Sequence, residues 1–186
     1  MNTFNLPTCK PSNMKTIIIG LGNPILGDDG VGWKVVETLR TNAYLSPHPV
    51  LETASLGGLS LMERMVGFER AILIDAMESA QGPAGSVRVI PLEALTNPSA
   101  GHSASAHDTS LITALQTART MGLDVPESVE VVAIEAGNVY DFSEELSPPV
   151  ARAVPMAVQA VLDLLDGTHR HCEEGALPDE AISLTM

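Results

Sequence analysis

One stretch decides the fold class: residues 15–39 read KTIIIGLGNPILGDDGVGWKVVETL. Its β-branched residues 16–19 lead directly into Gly20, a pattern typical of a strand that is buried on both faces. A glycine-rich turn follows, and apolar residues then recur at helical spacing over residues 31–39. The stretch therefore predicts the strand–turn–helix unit with which many α/β proteins begin.

Further strands and helices alternate along the rest of the chain. Strands are predicted at residues 50–54, 71–74, 87–90 and 129–134, and helices at 59–66, at 108–120, and from a Ser147 cap to about 165. Residues 76–86 carry Gly and Pro, show no helical pattern and are short for a parallel crossover, so the fourth strand is expected to run antiparallel to the third. We predict a three-layer α/β/α fold with a mixed, mostly parallel five-stranded sheet.

The predicted organisation is one folded unit between two polar ends. Residues 1–14 are expected to be a loose leader, residues 15–166 a single α/β domain, and residues 167–186 an acidic tail. A chain of 186 residues is long enough to bury a full core without disulfides.

Charge and composition exclude several classes of partner. Ten Lys and Arg against 23 Asp and Glu give a formal net charge of -13, which repels phosphate backbones and anionic lipid. No apolar run approaches the roughly 20 residues of a membrane-spanning helix. We therefore expect neither a nucleic-acid partner nor a membrane partner, and two cysteines indicate a reducing, cytoplasmic location.

From residue 120 onward the chain has 13 acidic and two basic residues, which predicts a solvated acidic face or, alternatively, a surface that steers a basic partner.

Groups able to bind metal or carry protons fall near the ends of the predicted strands. Asp28 and Asp29 follow the first strand, Asp75 ends the third, and His107 opens the helix after a long loop. Ligands of open α/β sheets bind beyond the carboxyl ends of the strands. We therefore expect these side chains to border one crevice.

Each of these residues also has an ordinary structural interpretation. One Asp of the pair is assigned to helix capping, Asp28 in preference, which leaves Asp29 to face the crevice. Asp75 is either a cap on the next turn or a site residue, and His102 competes with His107. Two carboxylates and one imidazole would suit a divalent metal such as nickel, zinc or manganese.

Four motifs in order give the chain a family resemblance. Residues 15–39 resemble the opening of the hydrogenase maturation proteases, which have G-x-G-N, then an acidic pair, then G-x-G. The later motifs are I-L-I-D-A at residues 72–76, S-A-H at residues 105–107, and L-S-P at residues 146–148. The resemblance covers residues 15–166.

The resemblance implies an endopeptidase that trims the C-terminus of a nickel–iron hydrogenase large-subunit precursor. It implies a phosphorylase/hydrolase-like fold with one antiparallel strand, and a metal-binding, catalytic triad of Asp29, Asp75 and His107. Many members have Glu where this chain has Asp29, which leaves the choice between Asp28 and Asp29 open. The nickel is supplied by the substrate, so no tightly bound metal is expected in the isolated protein.

Two alternatives share parts of this pattern. A recognition factor that binds the precursor without cleaving it would use the same residues. Peptidyl-tRNA hydrolases also open with G-L-G-N-P, as at residues 20–24, but continue with a catalytic His and Asn where this chain has Asp28 and Asp29. Their substrate also calls for a basic surface, whereas this chain is acidic.

Overall fold

A computed structural model of the chain describes residues 14–41, 45, 48–79, 82–96, 106–137 and 139–167. These described residues contain five strands: β1 (Thr16–Leu21), β2 (Val50–Ala54), β3 (Arg70–Met77), β4 (Val87–Pro91) and β5 (Ser128–Glu135). The same residues contain four helices: α1 (Val31–Arg40), α2 (Gly58–Met65), α3 (Ala106–Thr120) and α4 (Pro148–Leu165). Short 3₁₀ turns occupy Gly27–Gly30 and Leu92–Thr96.

The strands form one mixed sheet in the order β2-β1-β3-β5-β4. Neighbouring strands are parallel except for β4, which pairs with β5 in antiparallel register. Because β5 is parallel to β3, the predicted direction of the fourth strand is confirmed, although its neighbour is β5. The strand lies at the edge of the sheet, where Pro91, which lacks an N–H group, is tolerated.

Helices cover both faces of this sheet. Alternate residues of β1 enter different cores: Ile17 and Ile19 pack with residues of α2 and α3, whereas Ile18 packs with residues of α1 and α4. All three isoleucines are fully buried, as expected for a strand between two helical layers. The predicted three-layer α/β/α class is therefore confirmed.

Close packing of α1 on β1 depends on two glycines. A Cβ atom built on Gly20 would lie 2.2 Å from the carbonyl oxygen of Gly32, and one on Gly32 would lie 2.4 Å from that of Ile74. Both distances are far inside van der Waals contact. The G-x-G elements on either side of the acidic pair therefore bring the first turn of α1 against the ends of β1 and β3.

The predicted ends of the chain fall largely outside the described residues. Of the predicted leader only Met14 is described, and of the predicted tail only Gly167. Within the described residues, no helix has the length and apolar character needed to cross a membrane.

Candidate functional site

A cavity of about 300 Å³ lies at the carboxyl ends of β1, β2 and β3. Asp29 and Asp75 both line it, which brings together two of the three residues in the expected triad. The other lining residues include Asn23 in the turn after β1, and Ser55 and Leu56, which follow β2. The cavity is therefore the crevice in which an open α/β sheet is expected to bind a ligand.

The turn after β1 holds Asp29 at the cavity. The backbone N–H of Asn23 donates a hydrogen bond of 2.6 Å to Asp29 Oδ2. Gly22 adopts a φ of 109°, and a Cβ atom there would lie 1.8 Å from the Asp29 carbonyl oxygen. Only glycine fits this position, both for its backbone conformation and for the close approach. The G-x-G-N motif thus shapes the turn that presents the Asp29 carboxylate.

Asp28 has a different environment from its neighbour. Its side chain is 1% exposed and accepts hydrogen bonds from the Ser147 backbone N–H, at 2.7 Å, and the Ser147 hydroxyl, at 2.9 Å. The expectation that Asp28 caps the next helix is wrong, because neither the 3₁₀ turn nor α1 has a side-chain cap. Ser147 is the N-cap residue of α4 by position, but its hydroxyl does not cap that helix either. A buried carboxylate needs donors, and both donors of Ser147 serve it.

Asp75 reaches the cavity from within β3. The strand was expected to end at this residue, but it continues to Met77, and Asp75 pairs in register with Ala133 of β5. Ala71 and Leu73 pack on the α2–α3 side of the sheet, so strand alternation places the half-buried Asp75 side chain on that same side.

Helix α3 begins on the side of the sheet where the carboxyl ends of the strands lie. Its 15 residues span about 22 Å and lead into the start of β5, so its first residue lies toward the carboxyl ends of the strands. His107 belongs to this first turn, which agrees with the predicted placement of its backbone. The His107 side chain and the whole of His102 lie outside the described residues, so the choice between the two histidines stays a prediction.

Within the described side chains, no group of three or more His, Cys, Asp or Glu residues is placed to hold a metal ion. Two carboxylates at one cavity supply oxygen ligands, and the predicted set is complete only with an imidazole.

A family model described as hydrogenase maturation protease (HycI) matches residues 33–164, well over half of the chain. The chain belongs to the hydrogenase maturation protease family. The matched range includes Asp75 and His107, whereas Asp29 precedes it. Membership favours the protease interpretation over a peptidyl-tRNA hydrolase.

Known relatives and solved structures agree with this family. The hydrogenase 2 maturation protease of Escherichia coli K12 is 25% identical over 173 residues, 91% of this chain and 99% of that protein. Hydrogenase expression/formation protein HupD of Rhizobium leguminosarum bv. viciae is 24% identical over 163 residues, 88% of this chain and 80% of that protein.

Among solved structures, the Escherichia coli hydrogenase maturating endopeptidase HybD has a TM-score of 0.67 at 23% identity, covering 84% of this chain and 94% of that one. The [NiFe] hydrogenase maturation protease HybD of Thermococcus kodakarensis has a TM-score of 0.61 at 25% identity, covering 82% and 99%. The protein is accordingly a hydrolase with an endopeptidase role in hydrogenase maturation.

The maturation protease also has site residues that the sequence patterns missed. Ser55, which lines the cavity, donates a 2.7 Å hydrogen bond to the Gly22 carbonyl and so joins the end of β2 to the turn that holds Asp29. Ser55 directly follows β2. The rule that ligands bind beyond the carboxyl ends of strands, which pointed to Asp75, therefore also applies to Ser55.

A second carboxylate at a strand end, Glu135, was also missed. It is 5% exposed at the end of β5 and accepts hydrogen bonds from the Ser79 backbone N–H and hydroxyl, at 2.9 and 2.5 Å. Arg88 lies 3.3 Å from the same carboxylate. These contacts join β4, β5 and the segment after β3; Glu135 does not line the cavity.

Proposed function

We propose that this protease removes the C-terminal extension of a nickel–iron hydrogenase large-subunit precursor after nickel has been inserted. The observation that carries the proposal is the shared cavity of Asp29 and Asp75 at the carboxyl ends of the strands. Family membership supplies the reaction class, peptide-bond hydrolysis in hydrogenase maturation.

In this proposal, Asp29, Asp75 and His107 bind the nickel that the precursor carries. Carboxylate and imidazole groups are both accepted by nickel, and the protease contributes only part of the coordination shell. The metal belongs to the substrate, so the isolated protease needs no tightly bound metal. A precursor without nickel would lack the group that the triad recognises, and maturation would proceed only after metal insertion.

Cleavage is proposed to be direct hydrolysis. Water adds to the scissile carbonyl carbon, the C–N bond breaks, and the leaving amine takes up a proton. Two carboxylates that line one cavity support this route, because a positioned carboxylate can accept the proton of the attacking water. A covalent route would need an activated serine or cysteine. The Ser55 hydroxyl donates to the Gly22 carbonyl and not to a base. Cys9 and Cys172 lie outside the described residues.

We infer a cytoplasmic location and no nucleic-acid partner. The inference is supported by the two cysteines of the chain and by its formal net charge of -13.

Conservative variants of the triad test these assignments. Asp29→Asn, Asp75→Asn and His107→Ala are each expected to lower the trimming rate of nickel-loaded precursor at least about 100-fold, since each removes a group proposed to act on the substrate. The control is Asp124→Asn, which changes an exposed carboxylate in the loop that leads into β5, at the amino ends of the strands and so at the opposite end of the sheet from the cavity.

Precursor binding measured beside trimming separates recognition from cleavage. Wild-type protein that binds and shortens the nickel-loaded precursor, with triad variants that do not shorten it even at concentrations at which they bind it, supports the proposal. Wild-type protein that binds but never shortens the precursor is instead a non-cleaving recognition factor. Trimming that survives all three substitutions would overturn the site assignment.

A further inference from the structure

The loop between β5 and α4 exposes two aromatic side chains. Tyr140 is 78% exposed and Phe142 is 85% exposed, the highest fractions among the large hydrophobic side chains of the described residues. The whole chain has only six aromatic residues: one Trp, two Tyr and three Phe. Solvation of large apolar surface is unfavourable, so two neighbouring exposed rings in an aromatic-poor protein call for an explanation.

This loop is joined to the turn that carries Asp29. Ser143 donates its backbone N–H to the Ile25 carbonyl at 3.1 Å, and the Gly27 N–H donates to the Ser143 carbonyl at 2.7 Å. Ile25 is itself 47% exposed, and its own N–H donates to the side chain of Asn23, which lines the cavity. The exposed rings therefore belong to a loop that borders the site.

The part of the loop that follows the two rings is held by hydrogen bonds. The Ser143 hydroxyl donates to the Glu145 carbonyl and accepts from the Glu145 N–H, both at 3.0 Å. Four residues further on, Ser147 is held by the buried Asp28 carboxylate. Residues 143–147 are thus already held in place, and a backbone that is held before binding loses little conformational entropy when a partner binds.

The exposed rings are surrounded by negative charge. Asp141, Glu144 and Glu145 are all exposed, and residues 139–146 contain no Lys or Arg. None of the ion pairs between described residues includes any of these three carboxylates. A complementary partner would present apolar side chains flanked by basic ones.

We propose that this surface, which we call the lip, docks a segment of the hydrogenase precursor that carries apolar side chains next to Lys or Arg. The lip consists of Ile25, Tyr140, Asp141, Phe142, Glu144 and Glu145. The proposal rests on the function proposed above and extends it from the nickel to the polypeptide. The triad binds the nickel, and the lip binds the precursor polypeptide near that nickel through apolar contact and charge attraction.

The apolar part of the lip is tested by the double variant Tyr140→Ser/Phe142→Ser. We expect KM for nickel-loaded precursor and its Kd to rise about 10-fold or more, with kcat changed less than about twofold, because docking residues act before the reaction. The control is Met121→Ser, in which an equally apolar side chain, 73% exposed beyond the other end of α3, is replaced. It should leave both KM and Kd unchanged.

The acidic part is tested by the triple variant Asp141→Asn/Glu144→Gln/Glu145→Gln. Wild-type kcat/KM should fall as salt rises from 50 to 500 mM, which shortens the screening length from roughly 14 to 4 Å. A plot of log kcat/KM against log salt concentration should be less than half as steep for the variant as for the wild type. Thermal unfolding of all variants close to wild type establishes that the fold is retained.

The outcomes separate docking from cleavage. Unchanged KM and Kd in the double variant would refute the docking role of the lip and leave the proposed function intact. Wild-type protein that binds but does not trim the precursor would refute the proposed cleavage, and the Kd of the double variant would still test the docking role of the lip. If wild-type protein forms dimers that the double variant loses while Kd for precursor is unchanged, the lip is an interface between copies and the proposal is wrong.

Discussion

Replacing Asp28 by alanine is expected to destabilise the protein more than the same replacement of its neighbour Asp29. The buried Asp28 carboxylate joins the turn after β1 to the start of α4 through two donors of a residue 119 positions away in sequence. Both bonds link the two segments that flank the lip. Losing them leaves the Ser147 N–H without its acceptor at a partly buried site.

The magnitude follows from the two bonds. A hydrogen bond to a charged group contributes about 1.5–3 kcal/mol, so the pair sets an upper range of about 3–6 kcal/mol. Removing the buried charge recovers part of its desolvation free energy, and water can reach half-buried Ser147, so we expect a net loss of about 2–4 kcal/mol. For a domain of this size that lowers Tm by roughly 5–15 °C.

Urea unfolding of Asp28→Ala, Ser147→Ala and the double variant measures this loss. Ser147→Ala removes only the hydroxyl bond and should cost about 1 kcal/mol. Since Asp28→Ala already eliminates that bond, the double variant should be about as stable as Asp28→Ala alone. Additive losses in the double variant would show that the two residues do not interact as described.

Asp29→Ala provides the matched comparison. Asp29 is half-buried and accepts one hydrogen bond, from the Asn23 N–H, so its loss should cost about 1 kcal/mol while abolishing trimming. Asp28→Ala should retain measurable trimming at temperatures where it stays folded. Equal stability losses for the two variants, or a fully active Asp29→Ala, would refute the division between a structural and a chemical carboxylate.

Four further changes test other parts of the structure. Gly32→Ala should lower the free energy of unfolding in urea by about 2–3 kcal/mol, because its Cβ would lie 2.4 Å from a backbone oxygen of β3. Leu73→Ala, in the centre of the sheet and fully buried, should cost about 2–5 kcal/mol in the same assay. Arg70→Ala should lower Tm, with a loss of about 2–3 kcal/mol, because it leaves the partly buried Glu130 carboxylate without its 3.2 Å ion pair. Dialysis against a chelator should leave the Tm of the isolated protein unchanged, since the proposed nickel arrives with the substrate; a fall of several degrees would indicate a resident metal.

Local sequence patterns predicted most of the fold. The β-branched residues before Gly20 and the helical spacing after Gly30 correspond to β1 and α1, and residues 50–54 match β2. The neighbour of β4 was not predictable in the same way. The short connection from β3 determines its direction, but its position beside β5 depends on pairing with a strand about 40 residues later in sequence.

The site was predictable where it follows from strand ends and not where it depends on long-range contacts. The rule that ligands bind beyond the carboxyl ends of strands selected Asp29 and Asp75, which the structure places at one cavity. Local capping preferences assigned the wrong contact to Asp28, because its partner Ser147 is remote in sequence. Ser55 also follows a strand, but it was missed because only groups able to bind metal or carry protons were considered at the strand ends.

The most direct test of the proposed nickel-dependent cleavage is mass spectrometry of the precursor C-terminus. Nickel-loaded and metal-free large-subunit precursor are incubated with the wild-type protease under identical conditions. We predict that the loaded precursor alone loses the mass of a C-terminal extension. Equal trimming of both precursors would contradict recognition of substrate nickel, and an unchanged mass in both would contradict cleavage itself.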